Sequence, residues 1–109
     1  MYKILVVDDD RNYRYAIHEI CDWKALGFQI EGEAINGSQA LRKIEAEKFD
    51  LVITDIDMPL MGGVELIKRA KELNPDLIFI ALSAYDDFKF VKESLKEGAA
   101  DYILKYDMQ

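Results

Sequence analysis

Acidic, hydroxyl and basic side chains stand at the ends of four short apolar runs of the sequence. They are Asp8 and Asp9, Asp55 and Asp57, Ser83, and Lys105. If these runs form neighbouring strands, which lie about 4.8 Å apart in a sheet, the carboxylates come close together and repel one another. A cation relieves that repulsion, and oxygen ligands with room for water and a phosphate favour Mg²⁺ or Mn²⁺ over Zn²⁺. The pattern therefore predicts a divalent cation site.

A simpler interpretation applies to each acidic residue taken singly, because aspartate often forms turns and caps helices. Asp10 is expected to do this at the start of the first helix. That interpretation does not account for polar residues at four strand ends together. No zinc site is indicated: His18 is predicted to lie at the surface, and Cys21, the single cysteine, to be a buried small hydrophobe.

The hydrophobic pattern predicts the strands and helices that carry these side chains. Apolar runs alternate with stretches of helical periodicity, which is typical of βα units around a parallel sheet. Residues 4–7, 51–54 and 77–82 predict strands covered on both faces, residues 28–34 alternate and predict an edge strand, and a short last strand is expected at about 101–104. Right-handed crossovers then predict a flavodoxin-like α/β three-layer sandwich with five parallel strands in the order 2-1-3-4-5. In such sheets ligands bind beyond the carboxyl ends of the strands, between strands 1 and 3.

Four helices are predicted between the strands, each with an apolar stripe. The stripes are Tyr13, Ala16, Ile17 and Ile20; Ala40, Leu41 and Ile44; Leu66, Ile67, Ala70 and Leu73; and Phe88, Val91 and Leu95. We expect Asn36 or Ser38 to cap the second helix, Asp86 or Asp87 to begin the fourth, and Gly98 to end it.

Composition narrows the possible functions. A chain of 109 residues fits one domain, and its net charge of -7 disfavours direct binding of nucleic acid by this segment. The longest apolar run, 77–82, is too short to cross a membrane, and charge begins at Lys3, so neither a membrane span nor a secretory signal is indicated. A cytoplasmic location is expected.

The polar strand ends belong to motifs that resemble those of response-regulator receiver domains of two-component systems. The motifs are VVDD at 6–9, TDIDMP at 54–59, LSA at 82–84 and DYILK at 101–105, and the resemblance runs over essentially the whole chain. It implies that Asp55 is the phosphoacceptor, that Lys105 binds the phosphoryl group, and that Ser83 is the switch hydroxyl and Tyr102 the rotameric aromatic. Such a domain is not an enzyme with a separate substrate: it catalyses its own phosphorylation and slow dephosphorylation.

The resemblance also implies how Mg²⁺ would be held. Asp9 resembles a direct ligand, Asp8 a ligand often acting through water, and the backbone carbonyl of Asp57 the third protein ligand beside Asp55. Asp57 and Tyr85 stand two residues past the acceptor and the switch serine, where they are expected to tune the lifetime of the phosphorylated form. We expect the Tyr85 ring to dominate by excluding water.

Partners follow from the same resemblance: a histidine kinase or a phosphotransfer protein as donor, and homodimerisation through the surface of helix 4 and strand 5. Segments 21–28, 32–37 and 83–88 resemble receivers attached to AraC-type DNA-binding outputs, which would lie outside this chain. One departure is that Tyr106, not proline, follows Lys105, so the loop is expected to turn differently and to hold the lysine less firmly.

Two other functions fit parts of the pattern. Asp55-Ile56-Asp57 after a strand would suit a phosphatase of the haloacid-dehalogenase type, but the following Met58-Pro59 and the position of Asp8 and Asp9 before the nucleophile do not. A pseudo-receiver that works without phosphorylation is the second alternative.

The last expectation concerns the end of the sequence. Residues 1–109 are predicted to be a receiver domain truncated at its C-terminal helix, because Gln109 comes only four residues after Lys105. Crossover handedness leaves helix 1 alone on one face of the sheet. That face is therefore expected to be bare or covered by a neighbouring chain.

Overall fold

The predicted parallel sheet is present in the structure, a computed structural model that describes residues 1–84 and 88–108. Its strand order is β2-β1-β3-β4-β5. The elements are β1 Tyr2–Val7, α1 Arg11–Glu19, β2 Phe28–Ala34, α2 Gly37–Ala46, β3 Leu51–Asp55, α3 Gly63–Leu73, β4 Ile78–Ser83, α4 Phe88–Lys96, β5 Asp101–Leu104 and a short 3-10 helix, Lys105–Met108. Every neighbouring pair of strands is parallel. The flavodoxin-like fold and its strand order are confirmed.

Burial along the strands explains their positions. All residues of β3 are buried, as are the last four of β1, which matches their continuous apolar runs. Residues of β2 alternate between exposed and partly buried up to Ala34, as a strand with one solvent-facing side should. β2 is therefore the edge strand that its alternation predicts.

Three apolar clusters of described residues form the core, and together they cover both faces of the sheet. The largest packs α2 and α3 onto the sheet through residues such as Ala40, Leu66 and Ile67, and a small one joins Ala81 of β4 to Val91 of α4. The remaining cluster joins Ile17 of α1 to strand residues, with Trp23 packed against it. Trp23 Nε1 donates to the Ile17 carbonyl oxygen at 2.7 Å, so the segment after α1 helps to cover this face.

The predicted helix stripes extend further than the core does. Ile20, Leu73 and Leu95 are 37%, 57% and 41% exposed, because each stands in the last turn of its helix or just past its end. Cys21 is partly exposed, so its prediction as a buried hydrophobe is wrong. His18 lies at the surface, as predicted.

Helix ends are set by local side-chain and glycine geometry. The Asp10 side chain accepts from the Asn12 backbone N–H at 2.8 Å and caps α1. Asn36, not Ser38, caps α2 by accepting from Gln39 N–H at 2.7 Å. After α4, Gly98 adopts a φ of +117°, a value that favours glycine. The predicted start at Asp86 or Asp87 lies outside the described residues.

An apolar groove remains on the face beside α1. It has a volume of about 660 Å³, and its lining includes Tyr2, Phe28, Leu51, Ile78 and Ile80. Tyr2 and Ile78 are 61% and 51% exposed. Among the described helices, none is long and apolar enough to cross a lipid bilayer.

Candidate functional site

Three strand ends bring a lysine and two carboxylates together. Asp8 follows β1, Asp55 is the last residue of β3, and Lys105 follows β5; all three are buried. The Lys105 Nζ lies 2.9 Å from Asp8 Oδ2 and 3.1 Å from Asp55 Oδ2. Residues far apart in sequence thus form one buried charged group at the carboxyl edge of the sheet.

Asp9 adds a third carboxylate at the solvent side of this group. One carboxylate oxygen from each of Asp8, Asp9 and Asp55 lies within 4.8 Å of the others. Asp8 Oδ1 accepts from the Asp10 backbone N–H at 2.8 Å, whereas Asp8 Oδ2 is buried and, beyond its ion pair with Lys105, has no hydrogen-bond donor among the described residues. Such an oxygen-only donor set with spare lone pairs fits a hard divalent cation.

Burial and charge shift the protonation of the group. Burial, and then the charge of Asp8, raise the pKa of Asp55 to about 6, although Lys105 opposes the change. Burial also raises the pKa of Asp8 against the lowering effect of Lys105. Burial lowers the pKa of Lys105, but the interactions with Asp8 and Asp55 outweigh it and the net shift is upward. Burial thus disfavours the charged form of both carboxylates, the charge of Asp8 adds to this at Asp55 and that of Asp9 at Asp8, and a bound cation would relieve both.

Ser83 ends β4, the strand next to Asp55. Its neighbour Leu82 pairs with Asp55 across the ladder. The Ser83 hydroxyl is buried and has no hydrogen-bond partner within the described part of the chain. A buried hydroxyl without a partner is costly, so it is available to a polar group that enters the site.

The segment after β3 packs tightly under the site. Gly63, at the start of α3, donates its N–H to the Ile56 carbonyl oxygen at 2.8 Å. A Cβ at Gly63 would collide with the carbonyl oxygen of Asp55. Glycine is therefore required for the backbone of α3 to approach the end of β3 this closely.

Two other predicted site residues have exposed side chains, although the backbone N–H of Asp57 hydrogen-bonds to the Asp55 carboxylate. The Asp57 side chain is exposed, and Tyr102 on β5 is 41% exposed. Tyr85 lies outside the described residues. The metal-binding carbonyl of Asp57, the switch roles of Ser83 and Tyr102, and the lifetime roles of Asp57 and Tyr85 stay predictions.

Tyr106 follows Lys105 at the point where the chain leaves β5. No peptide bond of the described residues is cis, and the chain turns at Lys105 into the 3-10 helix Lys105–Met108. The Lys105 side chain is only 9% exposed and its ammonium lies between Asp8 and Asp55. The expectation that this loop holds the lysine less firmly stays a prediction.

Two residues of α1 contact the site and were not predicted to do so. The Lys105 Nζ lies over the Tyr13 ring, 4.2 Å from its centroid. Arg14 donates to the Asp8 carbonyl oxygen at 2.8 Å and to Glu33 Oε1 at 2.9 Å. Their position in the first turns after the Asp10 cap was the available signal, because those turns lie beside the end of β1.

Comparison with known sequences agrees with this geometry. A family model described as the response regulator receiver domain matches residues 4–108. The chain is 42% identical over 105 residues to the uncharacterized transcriptional regulatory protein YesN of Bacillus subtilis, covering 96% of this chain and 28% of that protein. It is 36% identical over 105 residues to the transcriptional regulatory protein HptR of Staphylococcus aureus, covering 96% and 41%. The chain thus spans less than half the length of these relatives.

Solved structures give the same result. The REC domain of AraT, a response regulator from Geobacillus stearothermophilus, superposes with a TM-score of 0.89 at 30% identity, covering 98% of this chain and 86% of that one. The CheX-CheY-BeF3-Mg²⁺ complex from Borrelia burgdorferi matches with a TM-score of 0.83 at 28% identity, covering 94% and 77%. With a family match over nearly its whole length and the acidic strand ends in place, this chain belongs to the response regulator receiver domain family.

Proposed function

We propose that this domain takes a phosphoryl group onto Asp55 from a phosphohistidine of a sensor kinase or a phosphotransfer protein. The observation that carries the proposal is the arrangement at the end of β3: a buried carboxylate with a lysine ammonium 3.1 Å away and a second buried carboxylate on the same ammonium. The membership of the receiver family and the transcriptional regulators among the relatives support it.

The reaction needs a nucleophile and charge to offset the transferred group. A carboxylate oxygen of Asp55 attacks phosphorus, the phosphorus–nitrogen bond to the donor histidine breaks, and the imidazole leaves with the bonding electron pair and takes up a proton. Lys105 offsets negative charge on the phosphoryl oxygens, and most of the rate comes from positioning and electrostatics. No other substrate is turned over, so the domain is a switch and not an enzyme in the usual sense.

Asp8, Asp9 and Asp55 would hold Mg²⁺, or Mn²⁺ in its place, with the Asp57 backbone carbonyl as a further ligand. Their oxygen atoms lie within 4.8 Å of one another, which supports a shared ion. When bound, the ion supplies positive charge beside the transferred group. Mg²⁺ in the similar CheY complex supports this metal for the present chain.

The switch would use the hydroxyl that lacks a partner. A phosphoryl group on Asp55 adds acceptors next to the buried Ser83 hydroxyl, which turns to donate to it. Movement of the segment after Ser83 frees space for Tyr102, and the populations of two states of the α4 and β5 surface shift. That surface would support a homodimer.

The output would be transcriptional, through a DNA-binding domain outside this chain, of the AraC type by resemblance. DNA would be bound by that domain and not by this acidic segment. The cytoplasm is the proposed location, where the donor kinase domain and DNA are both accessible.

Intact-mass measurement tests the proposed function. Incubation with Mg²⁺ and acetyl phosphate should add about 80 Da, the mass of one phosphoryl group, and a chelator should abolish the gain. Asp55→Asn should lose the gain, whereas Asp57→Asn, which alters an exposed carboxylate two residues on, should keep it. No gain in the unaltered protein would favour a pseudo-receiver, and turnover of a generic phosphate monoester would favour the phosphatase alternative.

A further inference from the structure

We propose that Tyr13 is a positioning residue for the Lys105 ammonium, and this role rests on the phosphoryl transfer proposed above. The ring face holds the ammonium beside Asp55 by a cation–π interaction. The Nζ lies 4.2 Å from the ring centroid, within the range of such contacts. Tyr13 would act through Lys105 and would not touch the transferred group.

The ammonium is enclosed on three sides. Asp8 Oδ2 lies at 2.9 Å and Asp55 Oδ2 at 3.1 Å, and the Tyr13 ring lies on a third side. Because the Lys105 side chain is only 9% exposed, water has little access to it. A cation over a ring is held more strongly when it is desolvated, so this contact belongs to the stronger class.

The backbone around Lys105 does little to place the ammonium. The residue follows β5, an edge strand of four residues whose last two are only partly buried. The next residue, Tyr106, is 55% exposed. A lysine stem has four flexible carbons, so the ammonium stays in one place only if its partners hold it.

Tyr13 is itself presented from a fixed helix. Its N–H donates to the Asp10 carbonyl oxygen at 3.1 Å, in the turn that the Asp10 side chain caps. One turn further on, on the same side of α1, Ile17 is fully buried in the core cluster. The ring therefore reaches Lys105 from an element anchored at both points.

An aromatic ring suits this position because it attracts the cation without a formal charge. Phosphorylation would change the charge at Asp55, and the ammonium must then interact with the phosphoryl oxygens. A third carboxylate at the ring's place would compete for the ammonium at that moment. The ring excludes water from the ammonium and leaves its N–H donors to the acceptors.

The contact can be tested without any phosphorylation. Protons on Cε of Lys105, assigned by comparison with Lys105→Arg, should resonate upfield of those of the other lysines, because Cε is bonded to the Nζ that lies over the ring. Tyr13→Phe should keep the upfield shift, and Tyr13→Leu should remove it. A Lys105 signal that does not change in Tyr13→Leu would overturn the contact.

Kinetics test the role. Tyr13→Leu should slow phosphorylation by acetyl phosphate on the order of tenfold, while Tyr13→Phe stays near the unaltered rate. In a Lys105→Ala background, Tyr13→Leu should cause no further slowing, because the ring has no ammonium to hold. Equal slowing by Tyr13→Leu in both backgrounds would overturn the proposal. Slow phosphorylation of Tyr13→Phe would also overturn it, because the effect would then belong to the tyrosine hydroxyl.

A second series of variants tests the cation–π role if Tyr13→Leu does not fold. Phenylalanine with increasing fluorination at position 13 keeps the ring shape but weakens the negative face, so the rate should fall stepwise with fluorination. A constant rate across the series would refute the cation–π role. A different outcome would contradict the proposed phosphoryl transfer: the unaltered protein would show no mass gain.

Discussion

At the scale of single residues, Asp55 combines two properties that conflict. It is 5% exposed, yet the proposed chemistry requires its charged form as nucleophile. Burial and Asp8 raise its pKa to about 6, so the folded protein binds a proton there more tightly than the unfolded chain, whose aspartates titrate near 3.8. The contribution of Asp55 to the free energy of unfolding therefore falls as the pH rises from about 4 to about 6, and above that range the metal-free protein carries a buried charge at a cost.

We predict that Asp55→Asn stabilises the metal-free protein at pH 7 by about 1 to 3 kcal/mol and flattens the pH dependence between about pH 4 and pH 6. Lys105 keeps Asp8 as a partner in this variant. Urea unfolding at a series of pH values in the presence of chelator measures both effects. Asp57→Asn is the matched control, since its side chain is exposed and its removal should leave the slope intact. A less stable Asp55→Asn at pH 7 would contradict the assigned cost of burial.

A second prediction at this scale concerns the lifetime of the phosphorylated form. If the Tyr85 ring excludes water from the acyl phosphate, Tyr85→Ala should speed loss of the label, by on the order of tenfold. Decay of the added mass after removal of the phosphodonor gives the rate. Asp57→Ala serves as comparison and should have the smaller effect. Unchanged or slower decay in Tyr85→Ala would count against the ring.

At the scale of elements, the junction between β1 and α1 is hydrogen-bonded to the edge strand β2. Arg14 of α1 donates to the Asp8 carbonyl oxygen at 2.8 Å and to Glu33 of β2 at 2.9 Å. The Asp8 N–H donates to the Ala34 carbonyl oxygen at 3.0 Å, which extends the strand ladder to the site. The backbone that carries Asp8 and Asp9 is thus held from two neighbouring elements.

Loss of the Arg14 hydrogen bonds should weaken cation binding without unfolding the chain. We predict that Arg14→Met lowers Mg²⁺ affinity on the order of tenfold, as removal of outer partners of metal ligands commonly does. Arg11→Met removes the same charge from an exposed position on the same helix and should change affinity little. Titration calorimetry with Mg²⁺ separates the two variants. Equal losses of Mg²⁺ affinity in the two variants would assign the effect to net charge and not to the Arg14 hydrogen bonds.

At the scale of the whole molecule, the two faces of the sheet are covered unequally. The face that packs on α2 and α3 holds the larger core cluster, whereas the face beside α1 has the groove of about 660 Å³. Two consecutive residues illustrate the difference: Leu77 is 1% exposed and belongs to the first face, and Ile78 is 51% exposed and lines the groove.

Truncation of Leu77 and of Ile78 tests whether the two faces of the sheet are buried to different extents. Leu77→Ala should lower the free energy of unfolding by about 2 to 4 kcal/mol, as a truncation in a packed core does. Ile78→Ala should cost less than about 1 kcal/mol, because half of the side chain is already in water. Urea unfolding of both variants under one condition is sufficient. A cost at Ile78 that equals the cost at Leu77 would show that the groove is filled in solution.

Residue patterns were sufficient to predict the order of the elements and the polar residues at the strand ends. Continuous apolar runs predicted the buried strands, alternation predicted the edge strand, and the parallel arrangement required the polar strand ends to meet at one edge. Asp8, Asp9, Asp55, Ser83 and Lys105 could be found in this way because strand ends are local in sequence and their convergence follows from topology alone.

The contacts that hold those side chains could not be predicted from the residue patterns. The contacts of Tyr13 with Lys105 and of Arg14 with Glu33 join residues distant in sequence, and Arg14 also reaches back to Asp8. All three contacts depend on the rotation of α1 about its axis and on side-chain conformations. Helical periodicity places Tyr13 on the core stripe but does not tell which end of the sheet it meets. The same limit explains Ile20 and Leu73, which fit the apolar stripes but are exposed. Helical periodicity predicts which side of a helix faces the core, but it does not predict how far along the helix neighbouring elements cover that side.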